Sequence, residues 1–133
     1  MELIELLAEA EKVCNRAYAP YSNFRVGSAL LTKDDRVITG VNVENRSFGL
    51  TNCAERTALF TALTQGIDEF KAIAIYAPDG DEPTSPCGAC RQVLSEFVKP
   101  DFPVIFGNSL ENYVISTLGE LLPYYGLEHL KDR

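Results

Sequence analysis

Leu3, Leu6, Leu7, Ala10, Val13, Cys14 and Ala17 recur every three or four residues, and Glu2, Glu5, Glu9 and Glu11 fall between them. That spacing predicts an amphipathic helix over residues 2–17, stopping before Tyr18-Ala19-Pro20 because a proline disfavours helix in the residue ahead of it. Cys14 shares the apolar face and reads as buried filler. The period then changes. Val26 to Leu31 is a continuous apolar run, Lys33-Asp34-Asp35 a turn, and Arg36 to Val43 a returning strand, which together predict a hairpin. Residues 45–52 form a loop containing Gly49, and Thr51 or Asn52 can cap a helix from Cys53 to Thr64 that ends at Gly66. A strand over Ala72 to Ala77, a turn-rich loop from Pro78 to Pro86 and a helix from Gly88 to Val98 follow, with Val93, Leu94 and Phe97 inward. Pro103 to Phe106 reads as a short strand, Asn108-Ser109 as a turn, and Thr117 as the cap of a last short helix ending before Pro123. Strands alternating with helices predict an α/β fold, a three-layer α/β/α sandwich with helices on both faces of a hairpin-then-parallel sheet.

The chain has 133 residues, the size of one domain, and no repeats or low-complexity tracts, so a single domain over 1–133 is expected. Its net charge of −7 repels a phosphate backbone and argues against nucleic acid as a partner. The acidic first stretch lacks the cationic start of a signal peptide, and no apolar run approaches membrane length. A cytoplasmic protein with no membrane partner is expected.

The chemistry is concentrated in two stretches, Cys53-Ala54-Glu55-Arg56-Thr57 and Ser85-Pro86-Cys87-Gly88-Ala89-Cys90-Arg91-Gln92. Cys87 and Cys90 have the interval at which a loop turning into a helix points two sulfurs at one ion, and Cys53 supplies a third thiolate. Three protein ligands leave a position for water, which zinc acidifies from a pKa of about 15.7 towards roughly 7, so one catalytic Zn2+ per chain is expected. A Cys-x-x-Cys pair alone can also be a redox motif, but such a motif carries no distant Cys-x-Glu partner. Glu55 lies two residues after Cys53, about 200 degrees around a helix, so it need not bind the same ion and can shuttle protons instead. Three thiolates give zinc a net negative charge, and Arg56, three residues after Cys53, is expected to withdraw some of it; Arg91 is the other candidate. Asn42 and Glu44 sit two apart on the second strand and share a face. They can grip adjacent ribose hydroxyls, or they are two solvent-facing polar residues of an edge strand.

Cys-Ala-Glu-Arg followed by Pro-Cys-Gly-Ala-Cys-Arg-Gln resembles the zinc-dependent nucleobase and nucleoside deaminases. Pro20-Tyr21-Ser22-Asn23-Phe24-Arg25-Val26-Gly27, Gly40-Val41-Asn42-Val43-Glu44-Asn45 and Gly49-Leu50-Thr51-Asn52 extend the resemblance to the free-nucleoside cytidine deaminases, through Phe97. With Cys at position 53, the chain is similar to their small three-thiolate class. That resemblance implies a mixed sheet of about five strands, a homotetramer, and hydrolysis of cytidine and deoxycytidine to the uridine products plus ammonia in pyrimidine salvage. It implies that Asn42 and Glu44 bind the sugar and that the Ala54 amide holds the base carbonyl. Phe24 is a candidate to pack on the base, or else a core aromatic. In the resembling class a Phe follows Leu-Leu-Pro after two residues and stacks in the neighbouring subunit; here Gly126 holds that place, and Tyr125, or Tyr124, can take over the stacking. Two rival readings are a structural zinc module, which would need a fourth ligand close by, and a deaminase of an aminopyrimidine antibiotic or of RNA.

Overall fold

The computed structural model describes residues 1–124 and Leu130. Helix α1 (Leu3–Cys14) opens with a reciprocal capping box between Glu2 and Glu5. It ends three residues earlier than the apolar period predicts, because the chain is drawn away to the sheet: Tyr18 N–H donates to the Asn42 carbonyl at 3.0 Å, and Glu44 N–H to the Tyr18 carbonyl at 2.8 Å. The hairpin forms as expected from β1 (Gly27–Thr32) and β2 (Val37–Val41). Its second strand stops at Val41, so Asn42 and Glu44 lie just beyond it and not on a strand face. Helix α2 (Ala54–Thr64), strand β3 (Phe70–Tyr76), helix α3 (Gly88–Ser95) and strand β4 (Pro103–Ser109) come next. Strand β5 (Asn112–Thr117) and the short helix α4 (Leu118–Leu121) follow, with the Thr117 hydroxyl accepting from the Glu120 amide as its cap.

The five strands form one mixed sheet in the order β2-β1-β3-β4-β5. Only β3 and β4 run parallel, joined through α3; the other neighbouring pairs are antiparallel. Asn108 and Ser109, expected as a turn, belong to β4, and the turn falls at Leu110 and Glu111. The pairing of β4 with β5 carries the chain past that point: Gly107 faces Tyr113 and Phe106 faces Val114. No apolar–polar alternation marks β5, because it is an edge strand whose Tyr113, Val114 and Ile115 are exposed.

Alternation within the inner strands divides the core in two. Ala29, Leu31, Ala72, Ala74 and Tyr76 point to the face covered by α1, where Leu6, Leu7, Ala10 and Cys14 pack on them. Leu30, Ile73, Ile75, Val104 and Phe106 point to the opposite face, against Ala58, Leu59, Ala62 and Leu94 of α2 and α3. This is the expected three-layer α/β/α arrangement, and Cys14 is core filler, 3% exposed. Two glycines let helices come down onto the strands. A Cβ at Gly27 would lie 2.2 Å from the Ala10 carbonyl oxygen, and one at Gly40 would lie 2.4 Å from the Ala58 nitrogen and 2.6 Å from the Ala54 oxygen. The first turn of α2 is therefore seated directly on β2. Among the described residues no helix is long and apolar enough to cross a membrane.

Candidate metal centre

The helix starts of α2 and α3 meet at one end of the sheet, and both are capped by cysteines. Cys53 is the N-cap of α2 and Cys87 the N-cap of α3; the Cys87 sulfur accepts from the Cys90 amide at 3.4 Å. Neither expected cap, Thr51 or Asn52, holds the N-cap position, and the Asn52 side chain donates to the Thr57 hydroxyl within α2 at 3.0 Å. The Thr51 hydroxyl accepts from Asn45 N–H at 3.1 Å, and Asn52 exchanges two backbone hydrogen bonds with Val43, both at 3.0 Å. The helix begins one residue later, with a thiol at the positive end of the peptide dipoles.

The three sulfurs lie within 4.8 Å of one another, with Cys53 to Cys87 at 3.5 Å and Cys87 to Cys90 at 3.3 Å. Zinc–sulfur bonds of about 2.3 Å in tetrahedral geometry separate sulfurs by about 3.8 Å, so this donor set fits a zinc ion with a small outward relaxation. Charge collects first on Cys53, whose pKa is lowered to about 5 by the hydrogen bond from Cys90 and by Arg56. The Cys90 thiol, hydrogen-bonded to Cys53 and buried, is pushed up. Arg56 Nη2 donates to the Cys53 sulfur at 3.3 Å, and that bond raises the guanidinium pKa further. Arg91 does something else. Its Nε donates to the Pro86 carbonyl at 2.8 Å, Nη1 to the Leu121 carbonyl at 2.6 Å and Nη2 to the Ser85 hydroxyl at 2.8 Å, so it braces the loop ahead of Cys87 against the end of α4.

Glu55, in the first turn of α2, is 4% exposed, and burial lifts its carboxyl pKa from 4.5 to about 7. A carboxyl poised there can both accept and return a proton near neutral pH. It lines a cleft of about 150 Å³ together with Cys53, Cys87, Ala54, Asn42 and Thr84. Ala54 is the first residue of α2, where backbone N–H groups have no partner within the helix.

The remaining expected residues are arranged around the cleft through one loop, residues 18–26. Asn42 is buried; its Oδ1 accepts from Val26 N–H at 2.9 Å and its Nδ2 donates to the Phe24 carbonyl at 2.8 Å. The Glu44 carboxylate accepts from the amides of Tyr21 and Ser22 at 3.0 and 3.2 Å and from the Ser22 hydroxyl. These bonds, led by the Ser22 hydroxyl, hold its pKa below the usual range. Neither residue is a free polar group on an edge strand, and both shape the loop that carries Phe24. Phe24 and Glu44 do not line the 150 Å³ cleft itself. The Phe24 ring lies beside Gly80. Tyr125 falls outside the described residues. Sequence reasoning gave no role to Ser22, Thr84 or Ser85; Ser22 and Ser85 had a signal, each lying within a motif stretch, and Thr84 had none.

Residues 1–106 match the family described as the cytidine and deoxycytidylate deaminase zinc-binding region. The chain is 52% identical over 118 residues to a cytidine deaminase of Halalkalibacterium halodurans, covering 89% of each. It is 46% identical over 123 residues to a cytidine deaminase of Sporosarcina psychrophila, covering 92% of this chain and 90% of that one. The crystal structure of a cytidine deaminase from Burkholderia pseudomallei matches with a TM-score of 0.88 at 48% identity, over 93% of this chain and 98% of that chain. Three convergent thiols, a buried glutamate at the same helix start and these similarities have one reading: the chain belongs to the cytidine and deoxycytidylate deaminase family, a zinc-binding family.

Proposed function

We propose that this chain hydrolyses free cytidine, and deoxycytidine, to uridine or deoxyuridine and ammonia, acting in cytoplasmic pyrimidine salvage. The observation that carries the reading is the convergence of Cys53, Cys87 and Cys90 within 4.8 Å beside a cleft that the buried Glu55 also lines. The three cysteines would hold the zinc. Bound there, zinc supplies the Lewis acidity that brings the pKa of water from about 15.7 towards 7.

Glu55 takes a proton from the attacking water as its oxygen adds to carbon 4 of the base, and delivers that proton to the ring nitrogen. It then moves a second proton to the departing amine, so that water is consumed and ammonia released. The Ala54 amide holds the base carbonyl at the start of α2. Asn42 and Glu44 bind the sugar hydroxyls, and Phe24 packs against the base. Arg56 drains charge from the thiolates. A homotetramer is the assembly of this reading, in which the exposed Phe48, Leu50, Phe60 and Ile115 offer apolar side chains for subunit contact and Tyr125 would stack in the neighbouring subunit's cleft.

The test is loss of cytidine absorbance on mixing with purified protein, alongside zinc content. Uridine formation with about one zinc per chain, the stoichiometry of a single three-thiolate site, is the expected result. Zinc without uridine would overturn the substrate assignment.

A further inference from the structure

Arg25 follows Phe24 directly, and no step of the deamination uses it. Its guanidinium grips Asp79 as a fork: Nε donates to Oδ2 at 3.0 Å and Nη2 to Oδ1 at 2.9 Å. The Arg25 backbone N–H adds a third bond to Oδ2 at 2.9 Å, and Nη1 donates to Oδ1 of Asn15, the C-cap of α1, at 3.0 Å. Asp79 belongs to the segment that leaves β3 and runs through Thr84 and Ser85 of the cleft wall into Cys87. Its neighbour Gly80 lies against Phe24, since a Cβ there would be 3.4 Å from Phe24 Cε2. The Gly80 carbonyl in turn accepts from Asn108 Nδ2 of β4 at 3.1 Å. One ion pair therefore joins the loop that presents Phe24 to the segment that presents a metal ligand.

We propose that Arg25 is a positioning residue: its fork on Asp79 fixes the loop that carries Phe24 and the cleft-lining Val26 against the segment that brings Thr84, Ser85 and Cys87 to the same cleft, and so holds the site in register for a pyrimidine base. The inference rests on the reading of cytidine as substrate and of Phe24 as its packing partner. Half-exposed ion pairs add little net stability, and the side chains of Arg25 and Asp79 are 42% and 28% exposed. A bidentate guanidinium–carboxylate pair does fix geometry, however, and a lysine cannot reproduce the fork. The Asp79 carboxyl is held down to about 2, first by its hydrogen bonds from Arg25, so the pair stays charged at any pH at which the enzyme would be assayed. Loss of the fork should loosen substrate binding while leaving Glu55 and the thiolates in place.

The experiment measures kcat and KM for cytidine, zinc content and Tm for the full chain and for Arg25→Gln, Arg25→Lys, Asp79→Asn, Phe24→Ala and Phe24→Ala/Arg25→Gln. Arg25→Gln and Asp79→Asn should each raise KM about tenfold with kcat within about threefold, the pattern of lost binding rather than lost chemistry, and with zinc retained. Arg25→Lys should fall between. In the Phe24→Ala background, Arg25→Gln should add little, because residues acting through one another are not additive. Unchanged KM in Arg25→Gln and Asp79→Asn, parallel losses of kcat and zinc, or full additivity with Phe24→Ala would overturn the proposal. An unmodified chain that does not turn over cytidine would overturn it together with the substrate reading, whereas an active chain with indifferent variants would overturn it alone.

Discussion

Arg56 Nη2 reaches the Cys53 sulfur across 3.3 Å, from one turn further along α2. Divalent zinc on three thiolates carries a net negative charge, which opposes the acidification of water, and a guanidinium on one sulfur offsets part of it. Arg56→Gln should keep the fold and lower zinc affinity or kcat by about 10- to 100-fold, the usual cost of losing a group that supports a metal ligand. Zinc competition with a chelator and steady-state kinetics check this. A variant matching the parent in both would remove Arg56 from the site's electrostatics.

Glu55→Gln separates proton transfer from architecture. Turnover should fall by about two to four powers of ten while zinc remains at the parent level. The Glu55 pKa is raised from 4.5 to about 7 by burial, so its ionisation costs the folded state free energy as pH rises through that interval. Glutamine removes that cost, and the Tm of the variant at pH 8 should be no lower than the parent's. A lower Tm there would mean that the carboxylate is held by favourable contacts.

Gly40→Ala should damage the site without touching it. The added methyl carbon would sit 2.4 Å from the Ala58 nitrogen, so α2 must shift off β2, and Cys53 and Glu55 move with it. Overpacking of this kind costs about 1–3 kcal/mol, to be read from urea midpoints, and kcat should fall as well. Parent stability and parent kcat together would show that α2 has slack over the strand.

Asp79→Asn has a pH signature. Asp79 has its pKa depressed from 3.8 to about 2 by the hydrogen bonds and charge of Arg25, so its contribution to stability is present above 3.8 and disappears as pH falls through 2. Because the pair is half exposed, the Tm difference between parent and variant should be small, constant above about pH 5, and close as pH falls from about 4 to 2. A gap that persists at the acid end would assign the effect to packing rather than charge.

By itself the sequence determined the layers and the chemistry. The three-to-four residue period of α1, the apolar run of β1 and the intervals Cys53-x-Glu55 and Cys87-x-x-Cys90 are local patterns, set by how a helix or strand presents successive side chains. They locate the inner elements, the thiols and Glu55 without knowledge of neighbours. Tertiary structure decided the rest. Strand β5 has no inward face of its own and exists only because β4 offers it a partner edge. Cys53 stands at the N-cap of α2, with the Thr51 hydroxyl taken up by the Asn45 amide and the Asn52 side chain by the Thr57 hydroxyl. Arg56 and Arg91 look alike as neighbours of cysteines, yet one faces sulfur and the other three oxygens, a difference set by which carbonyls lie within reach. Glu44 meets Ser22, and Arg25 meets Asp79 across 54 positions, through side-chain bonds with no period to announce them. Contacts between residues distant in the chain depend on how the layers pack, so only the folded chain could supply them.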